Sequence, residues 1–152
     1  MDLRMKEAIR YLGYGKNVID SKTMQLIQES FRELEEIAEP RVVYRIFGLS
    51  DIANFKSESK HLCKNLEGCS QVAVFATTLG TEVDRILRKY EIIDLPKAVI
   101  FQACAAAYLE EYCDNVECLI KEEVGEDCRF KPRFSPGYGD FSISHQGSVL
   151  QM

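Results

Sequence analysis

The chain has no tryptophan, only four prolines and only two histidines in 152 residues. His61 and His145 lie far apart, and no Cys-x-x-Cys occurs, so the close-spaced ligand pairs of a structural zinc site are missing. No apolar run approaches the roughly 20 residues needed to cross a bilayer, and the opening MDLRMKEAIR lacks the apolar core of a signal peptide. The expectation is a cytoplasmic chain with no membrane segment. A formal charge of −5 and a pI near 5.2 argue against the clustered positive surface that nucleic-acid binders use. Also missing are Gly-x-Gly-x-x-Gly after a strand, the Gly-x-x-x-x-Gly-Lys phosphate loop, Gly-x-Ser-x-Gly and His-Glu-x-x-His. No catalytic residue or metal ligand is assigned.

What is present suits one compact domain spanning 1–152. The 46% hydrophobic content suffices for a core at this length, and no repeat, low-complexity tract or linker interrupts it. Six cysteines, Cys63, Cys69, Cys104, Cys113, Cys118 and Cys128, read as free thiols that pack as small buried hydrophobes on apolar helix faces.

Helical spacing of Met5, Ala8, Ile9 and Leu12 predicts a short first helix ended by Gly13 and Gly15. Asp20 is placed to cap a second helix whose Met24, Ile27, Phe31, Leu34 and Ala38 form one stripe, stopping before Pro40. RVVYRIF at 41–47 alternates as a strand does. After a polar stretch around Asn54 to Ser59, Leu62, Cys63 and Leu66 mark a short helix closed by Gly68. QVAVFATTLG reads as a buried strand. Thr81 then caps a helix with Asp84 as its capping-box partner, facing Val83, Ile86, Leu87 and Tyr90 inward. Asp94 and Pro96 open the longest helix, which runs to about Val124 and stops at Gly125. Its ACAAA segment, 103–107, allows either tight helix packing or close approach of a flat ligand. In CRFKPRFS, a strand would project Arg129, Lys131 and Arg133 from one face, with Pro132 holding it at a sheet edge.

The stretch RFSPGYGDFS, 133–142, sets an arginine four residues before a Gly-Tyr pair with Ser-Pro between them. Pro pre-sets φ and Gly tolerates positive φ, so a plain surface turn explains it. A small-ligand site is the sharper reading, and it needs the rest of the chain to support it.

RFSPGYGDFSISHQ resembles the Arg-x-x-x-Gly-Tyr element of the activation domain of cobalamin-dependent methionine synthase. EAIRYLGYG, EPRVVYRIFGL, VAVFATTLGTEVDR and LPKAVIFQACAAA are similar, in the same order, to segments of stand-alone relatives of that domain. The resemblance covers nearly the whole chain.

It implies an α+β fold: a helmet-like single domain with a twisted antiparallel sheet and several helices. It also implies S-adenosylmethionine as ligand, held beside cobalamin carried by a partner. The partner would be the cobalamin-binding module of methionine synthase or a related corrinoid protein. Once the cobalt is oxidised to the inactive +2 state, an electron-donor protein and the methyl sulfonium would together regenerate methylcobalamin, the corrinoid doing the hard chemistry. Arg133 would hold the ligand carboxylate by a bidentate pair. Ser135, Pro136 and Gly137 would present backbone to the adenine edge, and Tyr138 would close the site and touch the corrinoid. The family's acidic ligand contact falls near Ala106 by an ungapped count, with Glu110 and Glu111 one turn on. Relatives continue past the His-Gln element into a further sheet segment, so this chain is expected to lack the C-terminal part of the fold, to bind S-adenosylmethionine weakly and to self-associate. A ligand-binding module for another corrinoid methyltransferase and an interaction domain without ligand remain as alternatives.

Overall fold

The computed structural model describes residues 3–14, 17–125 and 127–152. It is mixed helix and strand, 61% helical with one two-stranded antiparallel sheet, roughly an α+β protein. No helix among the described residues is long and apolar enough to cross a membrane. The chain divides into two compact units, one from 1–41 with 77–117, the other from 42–76 with 118–152.

The first unit is helical. Helix α1, Leu3–Tyr11, buries Ala8 and Ile9 and is followed by Gly13 at φ +76°. The expected stop at Gly15 lies outside the described residues. Helix α2, Ser21–Ile37, is capped as its sequence predicts: the Asp20 carboxylate accepts the Thr23 N–H at 2.9 Å. One face, Ile27, Phe31 and Leu34, is buried, and Ala38 turns extended ahead of Pro40. Helix α5, Thr81–Ile93, and helix α6, Leu95–Val124, supply the other walls, and the Asp94 carboxylate caps α6 through the Lys97 N–H at 3.1 Å. Phe101, Ile27, Leu34 and Cys104 are among the most deeply buried side chains of this core, and truncating such a leucine or phenylalanine costs about 2–5 kcal/mol. The small residues Cys104 and Ala107 are buried in that core and Ala103 is buried as well, with the Cys104 Sγ 3.8 Å from the Ile27 carbonyl of α2, so ACAAA serves close helix packing.

The cap expected at Thr81 is corrected. Gly80 is the N-cap at φ +93°, Thr81 is already helical, and no side chain caps the end. A glycine is needed there by its backbone angle and by Glu39, whose Cβ would lie 3.3 Å from an added methyl. Glu39 also ties the corner, its N–H donating to the Leu79 carbonyl at 2.8 Å.

The second unit holds most of the sheet. Strand β1, Arg41–Gly48, half-buries Val42, Tyr44 and Ile46 and exposes Val43 and Arg45, the period-2 pattern its sequence predicts. Strand β2, Gln71–Thr78, pairs with it. Its interior residues are half-buried, not buried as expected, because a two-stranded sheet leaves β2 without a second flanking strand. The polar stretch before Ser59 is a helix, α3, Ala53–Glu58, whose Phe55 joins the small core of Ile52, Leu62, Leu66 and Phe141. Helix α4, Lys60–Asn65, follows and Gly68 sits at φ +77° beyond it, as expected. Residues 127–142 form turns and irregular chain, followed by a 3-10 turn, Ile143–His145, and helix α7, Gln146–Leu150.

The edge strand expected over 128–135 is not formed. Pro132 withholds a ladder donor, and its carbonyl is taken by the Asn65 side-chain amide at 3.0 Å. Arg129, Lys131 and Arg133 therefore share no strand face: the first two are exposed and Arg133 is half-buried.

Candidate functional site

The five candidate binding residues lie on one loop of the second unit. Ser135 to Tyr138 is a turn closed by the Tyr138 N–H donating to the Ser135 carbonyl at 3.0 Å. Pro136 occupies its second position and Gly137, at φ +99°, its third, the arrangement of a type II turn. Two further backbone bonds tie this turn to the residues after it: Gly137 N–H to the Phe141 carbonyl at 2.7 Å, and Phe141 N–H to the Tyr138 carbonyl at 2.9 Å. Gly137 is fixed by packing as well as by φ, since an added Cβ would sit 3.2 Å from Ile143 Cδ1.

Around this turn the sequence-predicted groups are disposed unevenly. Tyr138 is 53% exposed, its ring edge-to-face with Phe134 at 6.0 Å between centroids. Ser135 and Gly137 are exposed, Pro136 and Arg133 half-buried. Arg133 is not a free charge: it is already engaged within the protein.

Residues that the sequence reading did not single out hold the loop in place. The Asp140 carboxylate accepts from the Ser59 hydroxyl, from Lys60 N–H at 2.9 Å and from His61 N–H at 3.1 Å, anchoring the loop to the start of α4. The Ser59 hydroxyl hydrogen bond, helped by those two N–H groups and opposed by desolvation, holds the Asp140 carboxyl below its ordinary value. Ser59 in turn accepts the Leu62 N–H at 3.0 Å, a local N-cap. Gly139, at φ +54°, lets the loop pass His61, whose Nδ1 would be 2.2 Å from an added Cβ. Beneath lies an aromatic cluster. His145 stacks on Phe141 at 5.0 Å with 13° between planes, Phe55 meets both edge-on, and His145 Nε2 lies 2.9 Å from a Glu58 carboxylate oxygen. No local signal marked Asp140 or His145, because the residues that pair with their polar groups, Ser59, Lys60 and His61 for Asp140 and Glu58 for His145, come from a distant part of the chain.

The acid positions near Ala106 belong to the first unit. Glu111 pairs with the Arg4 Nε at 3.1 Å, and Arg4 also lies 3.3 Å from Glu35. A surface hollow of about 350 Å³ beside them is lined by Arg4, Met5, Gln28, Phe31, Arg32 and Glu35, none of them a candidate from sequence.

Five of the six cysteines depart from the expected burial. All six are unpaired, but Cys63, Cys118 and Cys128 are exposed, Cys69 and Cys113 intermediate, and only Cys104 is buried. Cys63, Cys113 and Cys118 lie on helix faces that do not turn fully into a core, and Cys69 and Cys128 lie in the irregular segments that follow α4 and α6.

Compared with known proteins, the chain matches no family model and no curated sequence.

Proposed function

We propose that the chain binds S-adenosylmethionine and acts as the reactivation partner of a cobalamin-dependent methionine synthase, in a helmet-like domain of the kind its resemblance implies. The observation that supports this reading most is the turn at Ser135–Tyr138, with Gly137 exposed at φ +99° and an exposed tyrosine directly after it. Arg133, four residues before the Gly-Tyr pair, offers a planar fork to the ligand carboxylate, exchanging its present contact for a charge-assisted pair. The Pro136 and Gly137 carbonyls take no part in the turn's own hydrogen bonds and can accept from the adenine amino group. Tyr138 presents an aromatic face toward the corrinoid of the partner. The corrinoid, carried by that partner, would supply the methyl-accepting cobalt after a donor protein had reduced it by one electron from +2 to +1, with S-adenosylhomocysteine as the leaving group. This chain binds and orients.

One observation favours a second reading, an interaction domain that holds no ligand. The Gly137 N–H and Ser135 carbonyl are both satisfied inside the loop, so the turn is stable without any ligand.

Titration calorimetry with S-adenosylmethionine tests the site. Arg133→Ala is expected to weaken binding by about 2 kcal/mol, roughly thirtyfold, by leaving the carboxylate without its charged partner. Arg133→Lys keeps the charge but loses the fork, and is expected to be impaired as well. Equal affinity for all three proteins removes Arg133 from the site.

A further inference from the structure

Strand β2, QVAVFATT, hydrogen-bonds to β1 alone, so one backbone edge is outside the ladder. Among the described residues, no backbone bond beyond the sheet engages Val72 to Ala76. Such an edge is a template for another strand unless charge, proline or a bulge guards it. β2 has none of these guards in its sequence: it has no charged residue, no proline and no glycine over eight positions. β1 differs, since Arg41 and Arg45 are both exposed along it.

The two strands also differ in how they would meet their own copies. Antiparallel pairing about a two-fold axis perpendicular to the sheet sets residues of the same parity opposite each other. Centred on Val43, β1 would oppose Arg41 with Arg45 of the second copy, twice, a repulsive arrangement. Centred on Val74, β2 would oppose Val74 with Val74, Ala73 with Phe75, Val72 with Ala76 and Gln71 with Thr77. Each small residue meets a larger one, and the polar pair lies at the ends. β2 can thus meet its own copy with small residues against larger ones and no like charges opposed.

We infer that β2 is a homodimer interface, in which the β2 strands of two copies pair antiparallel to form one four-stranded sheet of order β1-β2-β2-β1. The contact is isologous and closes on itself, so it gives a dimer and not a fibre. It does not depend on the ligand proposal.

Analytical ultracentrifugation combined with hydrogen exchange tests it on the unaltered chain. A monomer–dimer equilibrium is expected, with amides of 71–78 exchanging at least about tenfold more slowly at concentrations where the dimer prevails, and with α1 and α7 unchanged. Val74→Lys places two ammonium groups opposite each other and is expected to abolish the dimer while the monomer keeps its helical circular dichroism. Should that variant fail to fold, the exchange pattern of the unaltered chain still decides. A chain that stays monomeric up to about 1 mM, or a dimer that protects another segment, overturns the inference.

Discussion

At the scale of single residues, burial and backbone angle separate positions that composition treats alike. Cys104 is buried among apolar groups, which pushes its thiol up to about 12, only partly offset by the neighbouring Ser30 hydroxyl. Cys63, Cys118 and Cys128 are exposed. Thiol titration of the native protein at pH 8 is therefore expected to show those three reacting first, Cys69 and Cys113 more slowly, and Cys104 only after unfolding, for a total of six. Rapid native labelling of Cys104, located by peptide mapping, would contradict its placement in the core. Gly137 gives a second case. Alanine there must hold φ near +99° and press on Ile143, so Gly137→Ala is expected to cost about 1–2 kcal/mol in a denaturation midpoint measurement. Such positions were legible in sequence only as a turn signature; that Ile143 crowds the glycine depends on a fold-back the local pattern does not contain.

Among elements, those with strong periodicity or caps were readable. Asp20, Asp94 and Gly125 mark real boundaries of α2 and α6 because a carboxylate cap and a left-handed glycine act within one turn of the chain. Elements whose state depends on distant partners were not. The segment 128–135 lacks a sheet neighbour and stays irregular, and α3 forms where only a polar stretch was visible, with Phe55 packed against Phe141 and His145. Asp140 is the main polar tie between the candidate loop and α4. Its carboxylate is favoured in the folded state, so its contribution is present above the ordinary carboxyl value of 3.8 and is lost as pH falls through the lower folded value. Asp140→Asn is expected to lower the Tm at pH 7, and the gap from the unaltered protein should shrink only as pH falls below the ordinary carboxyl value of 3.8 and close once the folded carboxyl is protonated. A gap that persists in acid would mean that the charge is not what anchors the loop.

For the whole molecule, the α+β class was visible in the alternation of helical and strand patterns, and the structure bears it out at that level. The candidate site was visible as a motif on a single loop; the anchors beneath it were not, since Ser59, His61, Glu58 and Phe55 reach it from α3, α4 and the residues between them. The loop is proposed to orient a methyl donor toward a partner's corrinoid, and methyl transfer itself is the decisive readout. A cobalamin-dependent methionine synthase without its own activation domain, held in the inactive +2 state, would be mixed with an electron donor, S-adenosylmethionine labelled in its methyl group, and this chain. Label is expected on the corrinoid only when the chain is present, and much less with Arg133→Ala despite an unchanged circular dichroism spectrum. Transfer that proceeds equally without the chain, or that fails at saturating S-adenosylmethionine with the unaltered protein present, would contradict the account.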